Sequence, residues 1–275
     1  MVRVNPSDDG LHRRILVLGG ICMYYRWLNE QVVMVFACVG LKHPSMNAKT
    51  GDMTQQYVFY GHCRPIEAHF KGLDAHCCLK CPLRVLDVCY VSGGSGICRR
   101  GLYPVDSIYK HFVQGRYQEL PEVLTDKLLR QLAVKPFRFG EYGEPVLYSL
   151  ENSMRIARVT FHTGFTHAWR EVDAEWAKIL MASVETEEGR ELAHEKGYRT
   201  ARIINSVDEI QTGEELCPFQ KDRILKGKPA EMCRHCNTCH KCFGHYQKGR
   251  KSKTTTDICF LKHGVGGKNF PNSSR

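Results

Sequence analysis

The chain contains 275 residues, of which 43% are hydrophobic and 25% are charged, a composition typical of a globular protein with a large buried core. Its longest apolar region, residues 15–39, is interrupted by Arg26, Asn29, Glu30 and Gln31, so it is too polar to span a bilayer. The same region lacks the small-residue cleavage site of a secretory signal. These features exclude a membrane partner and predict a cytoplasmic protein whose thiols stay reduced.

The net charge of +10 is concentrated towards one end of the sequence. Residues 217–275 contain thirteen Lys or Arg residues against Asp222, Glu231 and Asp257, whereas residues 1–216 contain 26 basic and 26 acidic residues. A basic segment of this kind attracts phosphate groups, so nucleic acid is a candidate partner. Two alternatives stay open. The positive charge can offset the negative charge of a thiolate-bound cluster. Alternatively, residues 248–256 can form a solvated loop.

Three parts of the sequence differ in composition and are candidate domains. Residues 1–33 form an N-terminal extension, and residues 34–216 form an α/β core that contains a first group of cysteines. Residues 217–275 form a basic, cysteine-rich segment that is predicted to bind metal. A short extended run is predicted at residues 56–60, where the sequence is rich in aromatic and β-branched side chains.

Apolar strands and helices alternate through the middle of the chain. A helix is predicted at residues 105–114, and another from Pro121, because proline in the first turn precedes leucines on one face. Thr186 caps a further helix that ends at Glu195. The predicted strands cover residues 136–141, 158–166, 178–184 and 200–205, with helical stretches at residues 147–157 and up to Trp176. This alternation predicts an α/β fold, either a partial (β/α) barrel or an open parallel sheet.

Polar residues stand at the carboxyl ends of all four predicted strands, where parallel α/β folds place functional groups. These ends are residues 141–144, 163–167, 183–185 and 205–206. His167 is a candidate for substrate contact or proton transfer. Because side chains alternate along a strand, Arg138 and Glu141 are expected on opposite sides, and so are His162 and His167. The candidate catalytic residues are Arg138, Glu141, His167 and Ser183.

A first group of cysteines precedes the predicted βα units. Cys78, Cys81 and Cys89 are the candidate cofactor ligands, with Cys77 as an alternative partner of Cys81. Three thiols leave one coordination position open, as a catalytic centre requires, so any chemistry is predicted here. Disulfides between such closely spaced cysteines are disfavoured, because a disulfide needs a particular Cα separation and Cβ direction.

A second group reads Cys233-x2-Cys236-x2-Cys239-x2-Cys242, with Cys217 and a proline upstream. The predicted metal ligands are Cys217, Cys233, Cys236 and Cys239, and the substitutes are Cys242, His235, His240 and His245. A Cys-Pro pair next to this spacing is closer to ferredoxin-like ligation than to a zinc ribbon. A 4Fe-4S iron–sulfur cluster is therefore predicted, with zinc as the alternative because four thiolates also suit zinc. We expect both cysteine groups at the same end of the sheet, with the second group structural.

Seven short motifs occur in a particular order. They are NAKTGDM at residues 47–53, CPLR at 81–84, CYV at 89–91, RFGEYGEP at 138–145, GFTH at 164–167, MAS at 181–183 and CP at 217–218. Together with the later cysteines, they resemble the gene 88 protein family of phages and plasmids over residues 34–264. The resemblance implies a bacterial host cytoplasm and a radical-SAM-like partial barrel. S-adenosylmethionine is not supported as a cofactor, because Arg84 stands where a Cys-x3-Cys-x2-Cys motif requires its third cysteine.

Two functions of different classes follow from these patterns. The first is a phage-type iron–sulfur protein on a radical-SAM-like α/β scaffold, acting on nucleotides or nucleic acid. The second is a non-catalytic module in which zinc or a cluster folds the basic segment for nucleic-acid or protein binding. The sequence leaves the substrate, the number of metal centres and the oligomeric state open.

Overall fold

The strands of the described residues form one large sheet and one short hairpin. The computed structural model describes residues 22–27, 31–38, 49–86, 89, 91 and 101–262. Its strands are β1 (Cys22–Trp27), β2 (Val32–Cys38), β3 (Thr54–Tyr60), β4 (Gln118–Glu119), β5 (Phe137–Tyr142), β6 (His162–Thr166), β7 (Met181–Val184), β8 (Thr200–Ile204), β9 (Glu214–Leu216), β10 (Tyr246–Gln247), β11 (Arg250–Lys251) and β12 (Asp257–Leu261).

The large sheet is open and mostly parallel. Among the described strands its order is β4-β1-β2-β3-β5-β6-β7-β8-β12-β9, while β10 and β11 pair separately. The pairs β1–β2 and β2–β3 are antiparallel, and the sheet's other described pairs are parallel. The predicted α/β class is therefore confirmed. The described strands do not close into a barrel.

Short helices connect these strands. They are α1 (Pro65–Phe70), α2 (Ala75–Cys78), α3 (Pro82–Val85), α4 (Leu102–Val113), α5 (Asp126–Leu132), α6 (Leu150–Val159), α7 (Glu187–Glu195), α8 (Pro218–Gln220) and α9 (Cys236–Cys239). Across the described ranges, no helix is both long and apolar enough to cross a membrane.

The predicted parallel βα units are present between β5 and β8. In the best-defined unit, α7 crosses from β7 to β8, and Ala182 pairs with Thr200 in parallel register. The Thr186 side chain accepts a hydrogen bond from the main-chain N–H of Gly189 (3.1 Å), so it caps α7 as predicted.

Two helix predictions were wrong in position or type. The helix expected from Pro121 begins at Asp126, because the Thr125 side chain accepts a hydrogen bond from the Leu128 N–H (3.3 Å) and caps α5. The stretch up to Trp176 contains two 3-10 turns in place of one helix. The second turn starts where the Asp173 side chain accepts a hydrogen bond from the main-chain N–H two residues later.

A bulge in β5 overturns the expectation that Arg138 and Glu141 face opposite sides. Their side chains form an ion pair with a distance of 2.6 Å. Gly140 between them has a φ of +65°, in the left-handed region that glycine adopts without strain. The β3–β5 register shifts at the same point. The bulge re-aims one side chain, so the simple alternation of a strand fails there.

The sheet also incorporates the two flanking segments of the chain. β1 lies within the predicted extension 1–33 and pairs with β2. β12 lies within the basic segment 217–275 and is inserted between β8 and β9. As domain boundaries, residues 33 and 216 stay predictions. In the described part, however, each flanking segment contributes a strand to the same sheet.

A buried guanidinium fastens the C-terminal segment to the sheet. Arg199 directly precedes β8 and is 2% exposed. Its Nη1 donates hydrogen bonds to the main-chain oxygens of Lys241 (3.1 Å), Phe243 (2.7 Å) and Gly244 (3.4 Å). Its Nε donates to the main-chain oxygen of Thr256 (3.2 Å). One side chain therefore satisfies carbonyls from both ends of the β10–β11 hairpin.

We expect Arg199→Met to lower the free energy of unfolding by about 3 kcal/mol, because it leaves several buried carbonyls without donors. The measurement is urea unfolding followed by circular dichroism. Arg223→Met, at an exposed position, is the matched control and should change stability by less than about 0.5 kcal/mol. Equal effects of the two substitutions would contradict the role of Arg199.

Candidate functional site

The first cysteine group is carried by a tight turn between α2 and α3. The buried carboxylate of Asp74 accepts a hydrogen bond from Arg84 Nε (2.6 Å) and lies 2.7 Å from His69 Nδ1. The Asp74–Arg84 pair closes the loop that contains Cys78 and Cys81. Arg84, which stands in place of a third cluster cysteine, therefore has a structural partner in this loop.

Cys81 lies beside His167. Its Sγ is 3.5 Å from His167 Nδ1, although the two residues are far apart in sequence. Cys81 is 9% exposed, and the His167 side chain is 16% exposed. The loop after β6 presents the imidazole, and the turn before α3 presents the thiol. A thiol and an imidazole at this distance can exchange a proton.

Two carboxylates flank the imidazole of His167. Glu144 Oε1 lies 3.5 Å from Nδ1, and Glu185 Oε1 lies 3.5 Å from Nε2. The Glu144 carboxylate is fixed by hydrogen bonds from the Thr166 hydroxyl (2.7 Å) and the His167 main-chain N–H (3.0 Å). The sequence-based selection missed both glutamates, although both stand at predicted strand ends. That position was the available signal.

Negative neighbours oppose the effect of burial on His167. Burial alone lowers the pKa of His167, but the hydrogen bonds to Cys81 and Glu144 outweigh it and raise the pKa well above its ordinary value. Burial also raises the pKa of Glu185, against the opposite effect of the His167 and Arg170 charges. The site therefore combines the Cys81 sulfur, an imidazole of raised pKa and two carboxylates.

The remaining thiols of the first group pack next to Cys81. Cys78 and Cys89 pack against the cluster formed by Cys81 and Leu83, and Cys77 Sγ lies 4.0 Å from Cys78 Sγ. The hydrogen bond with Cys77, burial and the neighbouring thiols raise the pKa of Cys78 well above its ordinary value. The buried hydroxyl of Tyr142 has no hydrogen-bond partner among the described residues. Its pKa is raised by burial and by the charges of these thiols.

The other predicted catalytic residues have different surroundings. Burial raises the pKa of Cys236; the nearby Arg138 charge lowers it, and the Glu141 charge raises it. The Arg138–Glu141 pair therefore lies near the second cysteine group. The main-chain oxygen of Ser183 accepts a hydrogen bond from Nε1 of Trp169 (3.0 Å). Trp169 follows His167 closely in the sequence. Of the four predicted catalytic residues, His167 is the one with a described side-chain contact to a thiol of the first group.

The second cysteine group is attached to the sheet through its main chain. Cys217 follows β9, and its N–H donates to the main-chain oxygen of Cys259 in β12 (2.8 Å). The Cys242 oxygen accepts a hydrogen bond from an N–H of β6 (2.9 Å). The N–H of Cys236 at the start of α9 donates to the Lys49 oxygen ahead of β3 (2.9 Å). Two strands, β6 and β12, and the segment ahead of β3 thus hold this group.

The thiols of the second group are close enough to affect one another's ionisation. Burial raises the pKa of Cys242 well above its ordinary value, and the charges of Cys217, Cys236 and Cys239 raise it further. Burial likewise raises the pKa of Cys239 to about 11. Cys233 belongs to the same buried cluster, but its Sγ donates a hydrogen bond to a main-chain oxygen of the preceding loop (3.2 Å).

The donor chemistry of the second group suits a thiophilic metal, but its side chains are not arranged around one centre. In the described ranges, no three His, Cys, Asp or Glu side chains are placed so that they could hold a metal ion. The buried Nδ1 of His235 and Nε2 of His240 have no hydrogen-bond partner there. Thiolates and imidazoles are the ligands that zinc and iron–sulfur clusters use. Metal binding would therefore require these side chains to move closer together.

The two cysteine groups lie near the same face of β8. Ala201 of β8 belongs to the buried cluster that contains Cys217 and Cys242, whereas Ile203, two residues later, packs against the cluster formed by Cys81 and Leu83. Residues two apart on a strand share a face. The groups were expected at the same end of the sheet. They lie on the same face of β8, with the first group nearer its carboxyl end.

No known protein family, curated protein or solved structure matches this chain. The resemblance to gene 88 proteins therefore stays a prediction, and so do the cofactor and metal ligands.

His162 of β6 should make the stability of the protein depend on pH. His162 is fully buried, and burial lowers its pKa to about 4. As the pH falls from 6.5 towards 4, the imidazole of His162 binds a proton in the unfolded chain but not in the folded chain. The free energy of unfolding is therefore highest above pH 6.5 and decreases over this range. Between pH 7 and pH 4.5, this histidine should account for a loss of about 2 kcal/mol.

The measurement is urea unfolding at both pH values for the native chain and His162→Gln. The variant should lose about 2 kcal/mol less on acidification than the native chain. His76→Gln, at an exposed position, should leave the pH dependence unchanged. An unaltered pH dependence in His162→Gln would show that the pKa of His162 is the same in the folded and unfolded chains.

Proposed function

We propose that this protein is a thiolate metalloprotein in which the second cysteine group binds one centre and fixes the basic C-terminal segment to the α/β sheet. A 4Fe-4S cluster is the proposed centre, and zinc is the alternative. The proposal rests on one observation: Cys217, which follows β9, and Cys236 and Cys239, both in α9, lie close enough to Cys242 that each of them raises its pKa. Membership of the gene 88 family belongs to the same proposal.

Cys242 is supported over Cys233 as the fourth ligand. The thiol of Cys242 is influenced by the other three, whereas the Cys233 thiol is engaged by a main-chain oxygen. Crowded, buried thiols of raised pKa lose their protons readily only when a cation compensates the thiolate charge. Residues Cys217, Cys233, Cys236 and Cys239 were the set expected from spacing, so the choice between Cys233 and Cys242 is open to direct test.

A four-thiolate centre of this kind is structural, because a closed coordination shell leaves no position for substrate. When bound, the centre supplies cross-linking of chain segments and compensation of thiolate charge. The residues of the chain do the rest. The Arg199 guanidinium donates hydrogen bonds to the carbonyls on either side of Cys242. The main-chain hydrogen bond from the Cys236 N–H to the Lys49 oxygen orients α9.

We expect Ser substitutions of Cys217, Cys236, Cys239 or Cys242 to lower bound metal about tenfold or more after anaerobic purification. Iron, acid-labile sulfide and zinc are measured together. Iron with sulfide supports the cluster, and zinc without sulfide supports the alternative. Cys63→Ser is the matched control outside both groups, and Cys233→Ser separates the two ligand sets. Full metal content in all four variants would refute the proposal.

A second function, nucleic-acid binding, is favoured by the exposed basic hairpin. Lys248, Arg250, Lys251 and Lys253 are all exposed on or next to β10 and β11. Other cations of the segment are engaged locally: Lys226 and Lys228, for example, contact Asp222. The hairpin therefore carries positive charge that is directed to solvent, where phosphates can approach it.

Replacing Lys248, Arg250, Lys251 and Lys253 with Gln should weaken binding to DNA or RNA and leave metal content unchanged. Each lost phosphate contact should reduce the slope of log affinity against log salt by about 0.9 on duplex DNA. The matched control replaces Lys226 and Lys228 with Gln. Absence of binding at low salt, or an unchanged slope, would exclude this second function.

A further inference from the structure

The segment Cys78-Leu79-Lys80-Cys81 forms a hydrogen-bonded turn. The Cys81 N–H donates to the Cys78 main-chain oxygen (3.1 Å), and Leu79 has φ 51° and ψ −135°. These angles are close to those of the first central residue of a type II′ turn, in which the outer Cα atoms lie within about 7 Å. Disulfides span Cα separations of about 4.4–6.8 Å. The turn therefore brings the Cα atoms of Cys78 and Cys81 to a separation that a disulfide can span, which spacing alone did not indicate.

The surroundings of the two thiols are unequal, as a redox pair requires. Cys81 has the imidazole of His167 at 3.5 Å, and Glu185 faces the other imidazole nitrogen. Cys78 contacts another thiol, Cys77, at 4.0 Å. Both thiols react as thiolates; the attacking thiol needs the nearby imidazole first, and the resolving thiol must in addition lie close to the attacking sulfur. Cys81 fits the first role and Cys78 the second.

An ion pair stabilises the turn, and one side of the site is partly exposed to solvent. The Asp74–Arg84 ion pair spans the turn from outside, so the turn does not depend on either thiol. The side chains of His167 and Glu185 keep 16% and 24% exposure, respectively. A small or extended disulfide can reach Cys81 from that side. A hydrolytic nucleophile would use the same thiol and imidazole, but it has no use for a second thiol one turn away.

We propose that Cys78 and Cys81 are a redox-active dithiol that exchanges with disulfide-containing substrates. The Cys81 thiolate attacks one sulfur of the substrate disulfide and forms a mixed disulfide. The first substrate thiolate leaves and takes the proton from the His167 imidazolium. Cys78 then gives its proton to His167 and attacks the Cys81 sulfur, expelling the second substrate thiolate, which takes that proton. The dithiol is oxidised to a disulfide, and the substrate disulfide is reduced to two thiols.

The test uses the full-length protein, reduced and freed of reductant, with glutathione disulfide as the probe. Products are trapped by alkylation and located by peptide mass spectrometry. We expect a Cys78–Cys81 disulfide in the native chain and a glutathione mixed disulfide on Cys81 in Cys78→Ser. In Cys81→Ser, neither product should form. His167→Gln should slow the reaction of Cys81 about tenfold or more.

Two comparisons make the result decisive. Cys63→Ser removes an isolated thiol and should leave the products and rates unchanged; unfolding curves verify that all variants stay folded. Glutathione attachment to Cys63 or Cys89 as fast as to Cys81 would overturn the proposal. Stable mixed disulfide on Cys81 of the native chain would also overturn it, because Cys78 would then fail to resolve it. Loss of bound metal in Cys81→Ser would assign this group to a metal centre and overturn it as well.

Discussion

The C-terminal half of the structure depends on one buried charge. Arg199 lies at the start of β8, 2% exposed, and its guanidinium is shared among main-chain oxygens of Lys241, Phe243, Gly244 and Thr256. Burying a guanidinium is unfavourable unless its donors are satisfied. The segment after residue 240 must therefore pass over the amino end of β8, and it carries Cys242 with it. Asp257, also buried, accepts the Thr200 N–H (2.7 Å) and fixes β12 beside the same strand.

Much of the α/β core was predictable because its signals are local. Thr186 caps α7, and the apolar run at β7 and the run at β8 pair in parallel as the intervening helix requires. The errors arose where tertiary structure overrides a local pattern. Gly140 introduces a bulge that brings Arg138 and Glu141 together. The Thr125 side chain caps α5, so the helix begins after Thr125 and not at Pro121. Insertion of β12 between β8 and β9 has no local signal, because strand order depends on long-range pairing.

The candidate site was predictable in part for the same reason. His167 could be selected because it stands at a strand end, and Cys81 because it belongs to a dense cysteine motif. Their contact at 3.5 Å could not, because the residues that set it, Glu144 and the Asp74–Arg84 pair, are charged residues without a distinctive spacing. Spacing also suggested that all three thiols of the first group serve alike. The structure instead pairs Cys81 with an imidazole and Cys78 with another thiol.

The two cysteine groups differ in the groups that surround them, and this difference separates their chemistry. The second group is held by main-chain hydrogen bonds to β6, β12 and the segment ahead of β3. The turn of the first group is held by the Asp74–Arg84 ion pair and by a hydrogen bond from the Glu144 N–H to the main-chain oxygen of Cys77 (2.7 Å). Neither contact involves the C-terminal segment. If the second group binds metal as proposed, removing that metal should loosen the basic segment and leave the geometry of Cys81 and His167 in place. The groups share a face of β8, but the contacts that build them are separate, so the metal and dithiol proposals can fail independently.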